Sequence, residues 1–124
     1  MEWDVDTLID NKVMMVKNFG NMNIDQINRL TRDVIVTAKK SQLDKILVDH
    51  TEMTLVASVI NIYEYVKEMN NSLRRNAKIA VLISESISSI EDYRFYETAC
   101  LNNGFFVRVF TSKEDALFWL ASFS

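Results

Sequence analysis

The sequence predicts a single α/β domain spanning residues 1–124, with a mixed sheet of about five strands, an N-terminal hairpin and about four helices. Three observations lead there. Short apolar runs rich in β-branched residues alternate with longer stretches whose apolar residues recur at three- and four-residue spacing. No proline interrupts any of these segments, and no low-complexity tract or internal repeat divides them. A chain of 124 residues can also bury roughly two-thirds of the surface its unfolded form exposes, enough for one continuous core. Alternation of strand and helix in this order demands a mostly parallel sheet with right-handed crossovers.

The elements follow from local patterns. Trp3, Val5, Thr7 and Ile9 alternate with Asp4, Asp6 and Leu8, and the apolar run Val13-Met14-Met15-Val16 comes after Asp10-Asn11, residues that tolerate the positive φ of a tight hairpin. Gly20 marks a break. Asn23 and Gln26 have the spacing of a capping box, and Ile24, Ile27, Leu30, Val34 and Ala38 then share one helical face, with Asp25, Arg29, Arg32 and Lys39 opposite. Lys39-Lys40-Ser41-Gln42 ends that helix. Lys45 to Asp49 reads as a buried strand, and Leu55 to Arg75 as a second helix with Val56, Val59, Ile60, Tyr63, Val66 and Leu73 inward. The run Ala77 to Ile83 is apolar enough for a central strand covered on both faces. Ser88 with Glu91 suggests another capping box, and Asn103-Gly104 supplies the left-handed residue that stops the third helix. Phe105 to Phe110 is the last strand, with Arg108 facing away from Val107 and Val109. Ser112 and Asp115 cap a last helix whose inward stripe is Ala116, Trp119, Leu120 and Phe123.

Composition narrows the function classes. The formal charge of -3 is mild and its charges are interspersed, which argues against nucleic acid or an anionic lipid surface as partner. The lone Cys100 cannot form an internal disulfide, and the start of the chain, with Glu2, Asp4 and Asp6, lacks the basic and apolar regions of a signal peptide. A cytoplasmic setting is the resulting expectation. No apolar run approaches the roughly 20 residues of a transmembrane segment.

The stretch from Lys45 to Ser58 is the candidate site, because the carboxyl end of a strand in an open α/β sheet is where ligands and partners are commonly met. Read as a loop, Asp49 to Ser58 contains no nucleophile with an adjacent base, no metal-ligand set and no glycine-rich phosphate cradle. No catalytic, metal or cofactor residue is therefore assigned. Asp49, His50 and Thr51 carry groups suited to proton transfer, but successive residues of an extended segment point to opposite sides, so Asp49 and His50 do not pair. The plainer reading is a solvated loop histidine beside an aspartate that satisfies local amides. Thr51, Thr54 and Ser58 offer hydroxyls near a helix amino terminus, where a phosphate would be favoured; the plainer reading is a helix cap at Thr54.

Met14, Met15, Met22, Met53 and Met69, with Tyr63, Tyr93 and Tyr96, are core residues or the lining of an adaptable apolar pocket. Trp3 and Phe118 fall off the inward stripes and are candidates for an exposed patch that supports self-association. Cys100 reads as a small buried residue.

The closing stretch, from Asn102-Asn103-Gly104 through Phe105-Phe106-Val107-Arg108-Val109-Phe110 to Ala116-Leu117-Phe118-Trp119-Leu120, resembles the carboxyl end of the STAS superfamily, specifically its SpoIIAA-like group. Members tend to finish with a strand, an acidic capping turn and an Ala-Leu-x-Trp-Leu helix. Ile46-Leu47-Val48-Asp49 is similar to the strand before that family's regulatory loop, and the element order agrees over almost the whole chain. The resemblance implies a five-stranded mixed sheet flanked by helices. In the anti-sigma factor antagonists of the superfamily, a serine at the start of the second helix is phosphorylated within an Asp-Ser-Ser-Gly-Leu-Gly pattern. The corresponding stretch here is Ala57-Ser58-Val59-Ile60-Asn61-Ile62, in which Ser58 matches and the glycines do not. Other relatives look like CRAL-TRIO lipid-binding domains, with an apolar cavity between helices and sheet.

The functional expectation is a non-enzymatic STAS-like regulatory or protein-interaction domain, homodimeric, with a protein partner at Asp49–Ser58 and the start of the following helix. The alternative is a carrier or sensor of a small apolar or lipid-like molecule. A phosphorylatable anti-sigma factor antagonist ranks below both, and so does an enzyme.

Overall fold

The computed structural model describes residues 3–8, 12–56, 64, 66, 77–85 and 90–123. Strand β1 (Trp3–Leu8) runs antiparallel to β2 (Val13–Asn23), with Val5 opposite Val16 and Leu8 opposite Val13. Lys12, with φ of 53°, is the left-handed residue described between them. Parallel to β2 lie β3 (Lys45–Val56), β4 (Lys78–Leu82) and β5 (Phe106–Phe110), in the sheet order β1-β2-β3-β4-β5. The result is a block of four parallel strands with one antiparallel strand on its β2 edge, and β3 in the middle.

The helices described are α1 (Ile24–Lys40), α2 (Ile90–Asn102) and α3 (Lys113–Ala121). Three stand where about four were expected. Of the segment read as a helix from Leu55 to Arg75, Glu64 and Val66 are helical and Val66 is buried, whereas Leu55 and Val56 belong to β3; the remaining residues lie outside the described ones. So do Ser88 and the capping box assigned to it.

Because the parallel strands follow one another in chain order, crossovers of one hand bring their helices to the same face of the sheet. Ile27, Leu30, Val34 and Ala38 of α1 and Tyr93 and Cys100 of α2 accordingly share one core with Met14, Val16, Ile46, Met53, Ile79, Val81 and Val107. α3 covers the other face, where Ala116 and Leu120 pack on Val13, Leu47, Ala80 and Leu82. Both faces of β4 are thereby covered, as its apolar run from Ile79 to Leu82 requires.

The termini of the elements obey local chemistry. The Asn23 side chain accepts from the Gln26 amide at 2.9 Å and the Gln26 side chain accepts from the Asn23 amide at 2.8 Å, completing the capping box of α1. Gln42 (φ 58°) follows the end of α1, and Gly104 (φ 80°) follows α2. Ser112 Oγ accepts from the Asp115 amide at the start of α3.

Two strands are longer than the sequence suggests. Gly20 does not break β2: it sits inside the strand with φ of 72°, paired with Met53. The segment read as a loop from Asp49 onward is likewise strand as far as Val56. The reason is half-coverage. His50 and Met53 are buried while Thr51, Glu52, Thr54 and Val56 are exposed, so the outward polar residues of a strand covered on one side imitate a loop.

Candidate functional site

The site grows from the register of β2 on β3. Lys17 pairs with Asp49 and Phe19 with Glu52, so Asn18 alone stands against both His50 and Thr51. Such an extra residue is a β-bulge, which re-aims side chains and recurs beside functional sites. Met14, Val16 and Asn18 alternate onto the helix-covered face, and Ile46 and His50 do the same on β3. Tyr93, in the first turns of α2, descends onto that face from above.

His50 is buried, not solvated as a loop histidine would be. Its Nδ1 lies 2.8 Å from the Tyr93 hydroxyl, and the two rings meet edge to face with centroids 5.6 Å apart. Burial disfavours the imidazolium and lowers the His50 pKa to about 4, with Asp49 opposing weakly. Burial also raises the Tyr93 pKa, helped by the nearby Asp92. Both members of the pair are therefore neutral near pH 7, with one hydrogen bond between them.

Asn18 completes the group. The residue is 1% exposed, and among the described residues neither Nδ2 nor Oδ1 has a hydrogen-bond partner. An unpaired buried amide costs on the order of 1–3 kcal/mol per group, so its presence inside a methionine-rich core calls for a reason. Nothing in the sequence singled out Asn18 or joined Tyr93 to His50. The signal that was available is the alternation Met14, Val16, Asn18, which places an amide at a position of the inward set.

The five residues assigned to the site from sequence are distributed as follows. Asp49 and His50 point to opposite sides of β3, as expected, and do not pair. Asp49 instead accepts from the Thr51 amide at 2.8 Å and the Thr51 hydroxyl at 2.6 Å, the local role foreseen for it. Thr54 is an exposed residue within β3, and among the described residues it caps no helix. Ser58 lies outside the described residues. Thr51, Glu52, Thr54 and Val56 thus form an outward rim, linked to β2 by the Lys17–Glu52 ion pair at 3.0 Å.

β4 pairs with β3 only as far as Asp49, through Leu82. Beyond that point β2 and β3 continue as a two-stranded arm to Asn23 and Val56, and among the described residues no strand lies along the other edge of this part of β3. The order of the parallel strands never reverses, so the crevice that a reversal opens in doubly wound sheets is absent from the described part of this sheet. On the opposite face, Arg108, Phe110, Asp115, Phe118 and Trp119 line a shallow groove of about 400 Å³. Phe118 projects from it with 80% of its surface exposed, as its place off the inward stripe suggested, whereas the Trp3 side chain lies outside the described residues. Among the described residues, no cluster of histidine, cysteine and carboxylate side chains could hold a metal ion, and no helix is long and apolar enough to cross a membrane.

No family model and no curated protein matches the sequence. Solved structures do match in fold. An uncharacterized protein of the DUF3478 family with a SpoIIAA-like fold, from Shewanella loihica PV-4, superposes with a TM-score of 0.59 at 16% identity, covering 95% of this chain and 91% of its own. An anti-sigma factor antagonist from Mycobacterium paratuberculosis gives 0.59 at 12% identity, with coverage of 95% and 93%. The phosphorylated form of the Bacillus cell fate determinant SpoIIAA gives 0.52 at 12% identity, with coverage of 95% and 98%. The likeness extends over nearly the full length of each chain: the protein has a SpoIIAA-like fold.

Proposed function

We propose that the chain is a non-enzymatic STAS-like regulatory domain that works by protein contact at the carboxyl arm of β3, and that it self-associates. One observation carries this reading: Thr51, Glu52, Thr54 and Val56 face outward on the part of β3 beyond Asp49, which, among the described residues, is paired only with β2. Exposed backbone donors and acceptors on such an edge are satisfied by an added strand or loop from another chain. One fold neighbour is by name an anti-sigma factor antagonist, a protein whose role is defined by another protein. Phosphate on Thr51 does not suit the geometry, since that hydroxyl is engaged by Asp49 and a phosphate would meet the charges of Asp49 and Glu52. Thr54 and Ser58 remain the hydroxyls for a switch of the anti-sigma antagonist kind.

Sedimentation velocity over a wide concentration range tests the self-association, comparing the natural chain with Thr54→Arg and Val56→Arg. The exposed positions tolerate either substitution in the fold, so a shift toward monomer is expected. A photo-crosslinking residue at Thr54 tests the partner surface in cells. Monomers at every concentration, together with crosslinks that form equally well from the exposed Val36 of α1, would refute the reading.

A second reading, a small apolar or lipid-like ligand held between helices and sheet, draws on a different observation: the unpartnered amide of Asn18 in the helix-covered core. Native mass measurement of the purified chain tests it, through the presence or absence of a co-purified small molecule.

A further inference from the structure

Asn18 and His50 are buried at facing positions of β2 and β3, at a bulge where one residue of β2 faces two of β3, and Tyr93 of the helix-covered core meets His50. His50 and Tyr93 satisfy each other at 2.8 Å, and Asn18 is left with an unused donor and an unused acceptor on one planar group. The same core contains Met14, Met22 and Met53, whose flexible thioethers repack readily around an inserted molecule. A charge would be costly there, so the complement of Asn18 is a neutral group that accepts from Nδ2 and donates to Oδ1 at the same time.

We propose that Asn18, beside the His50–Tyr93 pair, is the recognition group of a buried site for a small apolar molecule with a neutral donor–acceptor head, a primary carboxamide or an undissociated carboxylic acid. The proposal rests on the ligand reading above and adds the group that reads the head. It gives Asn18 a role that a purely structural core residue would fill better with leucine, a side chain of similar size that leaves nothing unpaired.

The test uses the full chain labelled with ¹⁵N and titrated with primary amides from acetamide to octanamide, read by NMR at the Asn18 side-chain amide and at the single histidine ring. Saturable shifts at both are expected, with affinity rising along the series. The N,N-dimethyl analogues lack the donor and should bind at least about tenfold more weakly, the usual consequence of leaving a buried acceptor unpaired. Asn18→Leu should lose the same factor while its thermal midpoint rises.

Equal binding of primary and dimethyl amides, or unchanged binding by Asn18→Leu, overturns the recognition role even if a ligand is held. The comparison of the two amide series stands on the natural chain alone should Asn18→Leu fail to fold. Absence of saturable shifts with every amide means that water alone occupies the amide, and the proposal falls. A co-purified molecule retained by Asn18→Leu would then leave the ligand reading standing without it; a native mass with nothing bound would remove both.

Discussion

Acidification should destabilise the fold through His50, and the chain has only this histidine, so the effect can be assigned. In the unfolded chain its pKa is 6.5; in the fold, burial lowers it to about 4. A depressed pKa means that the unfolded state takes up the proton first. Stability from this group is therefore complete above about pH 6.5, falls as the pH drops through the window between 6.5 and about 4, and is level again below it. Each pKa unit corresponds to about 1.4 kcal/mol, so about 2–3 kcal/mol is lost between pH 7 and pH 4.5. Against a total of roughly 5–15 kcal/mol for a domain, that is a large share.

The assay is urea unfolding at pH 7.0 and 4.5 for the natural chain and for His50→Gln, which keeps a polar partner for Tyr93 and cannot titrate in this range. Carboxylates contribute equally to both proteins, so the difference of their pH dependences isolates His50. The variant should lose about 2 kcal/mol less than the natural chain on acidification. An NMR titration of the His50 ring with a midpoint near 6.5, or equal pH dependences for the two proteins, would show that the imidazole is wet in solution and that the argument from burial is wrong.

Other consequences follow from the same packing. Gly20 has φ of 72° and, its chain neighbours aside, no atom of the described residues within 4 Å of the position a Cβ would take, so Gly20→Ala should cost about 1–2 kcal/mol in urea unfolding from backbone conformation alone, and Gly20→Asn less; equal stability of all three proteins would contradict the assigned conformation. Leu120, fully buried under α3, should cost about 2–5 kcal/mol when replaced by alanine, measured by the urea midpoint, and a change under 1 kcal/mol would mean that α3 is not seated on the sheet. Burial pushes the Cys100 thiol up to about 12, against a weaker opposing hydrogen bond from Tyr96. Thiol reagents at pH 8 should therefore label it only on unfolding, with a rate that tracks denaturant; rapid labelling of the native chain would place the sulfur at the surface.

The sequence by itself determined the elements whose signals are local. Asn23 and Gln26 wrote the start of α1, Gly104 the end of α2, Ser112 and Asp115 the start of α3, and the apolar run 79–83 a strand covered on both faces; each depends on contacts within a few residues. It also separated Asp49 from His50, since alternation along an extended chain is a property of the backbone. Tertiary structure decided what pairing decides. β2 and β3 stabilise each other as far as Asn23 and Val56, which carries the strand through Gly20 and through the polar residues that looked like a loop. Pairing register also set Asn18 against His50, while the packing of α2 delivered Tyr93 to the imidazole from 43 positions away. Burial of His50 and of the Asn18 amide follows from those distant contacts, because the solvation of a side chain depends on what other elements remove from around it, and no window of neighbouring residues carries that information.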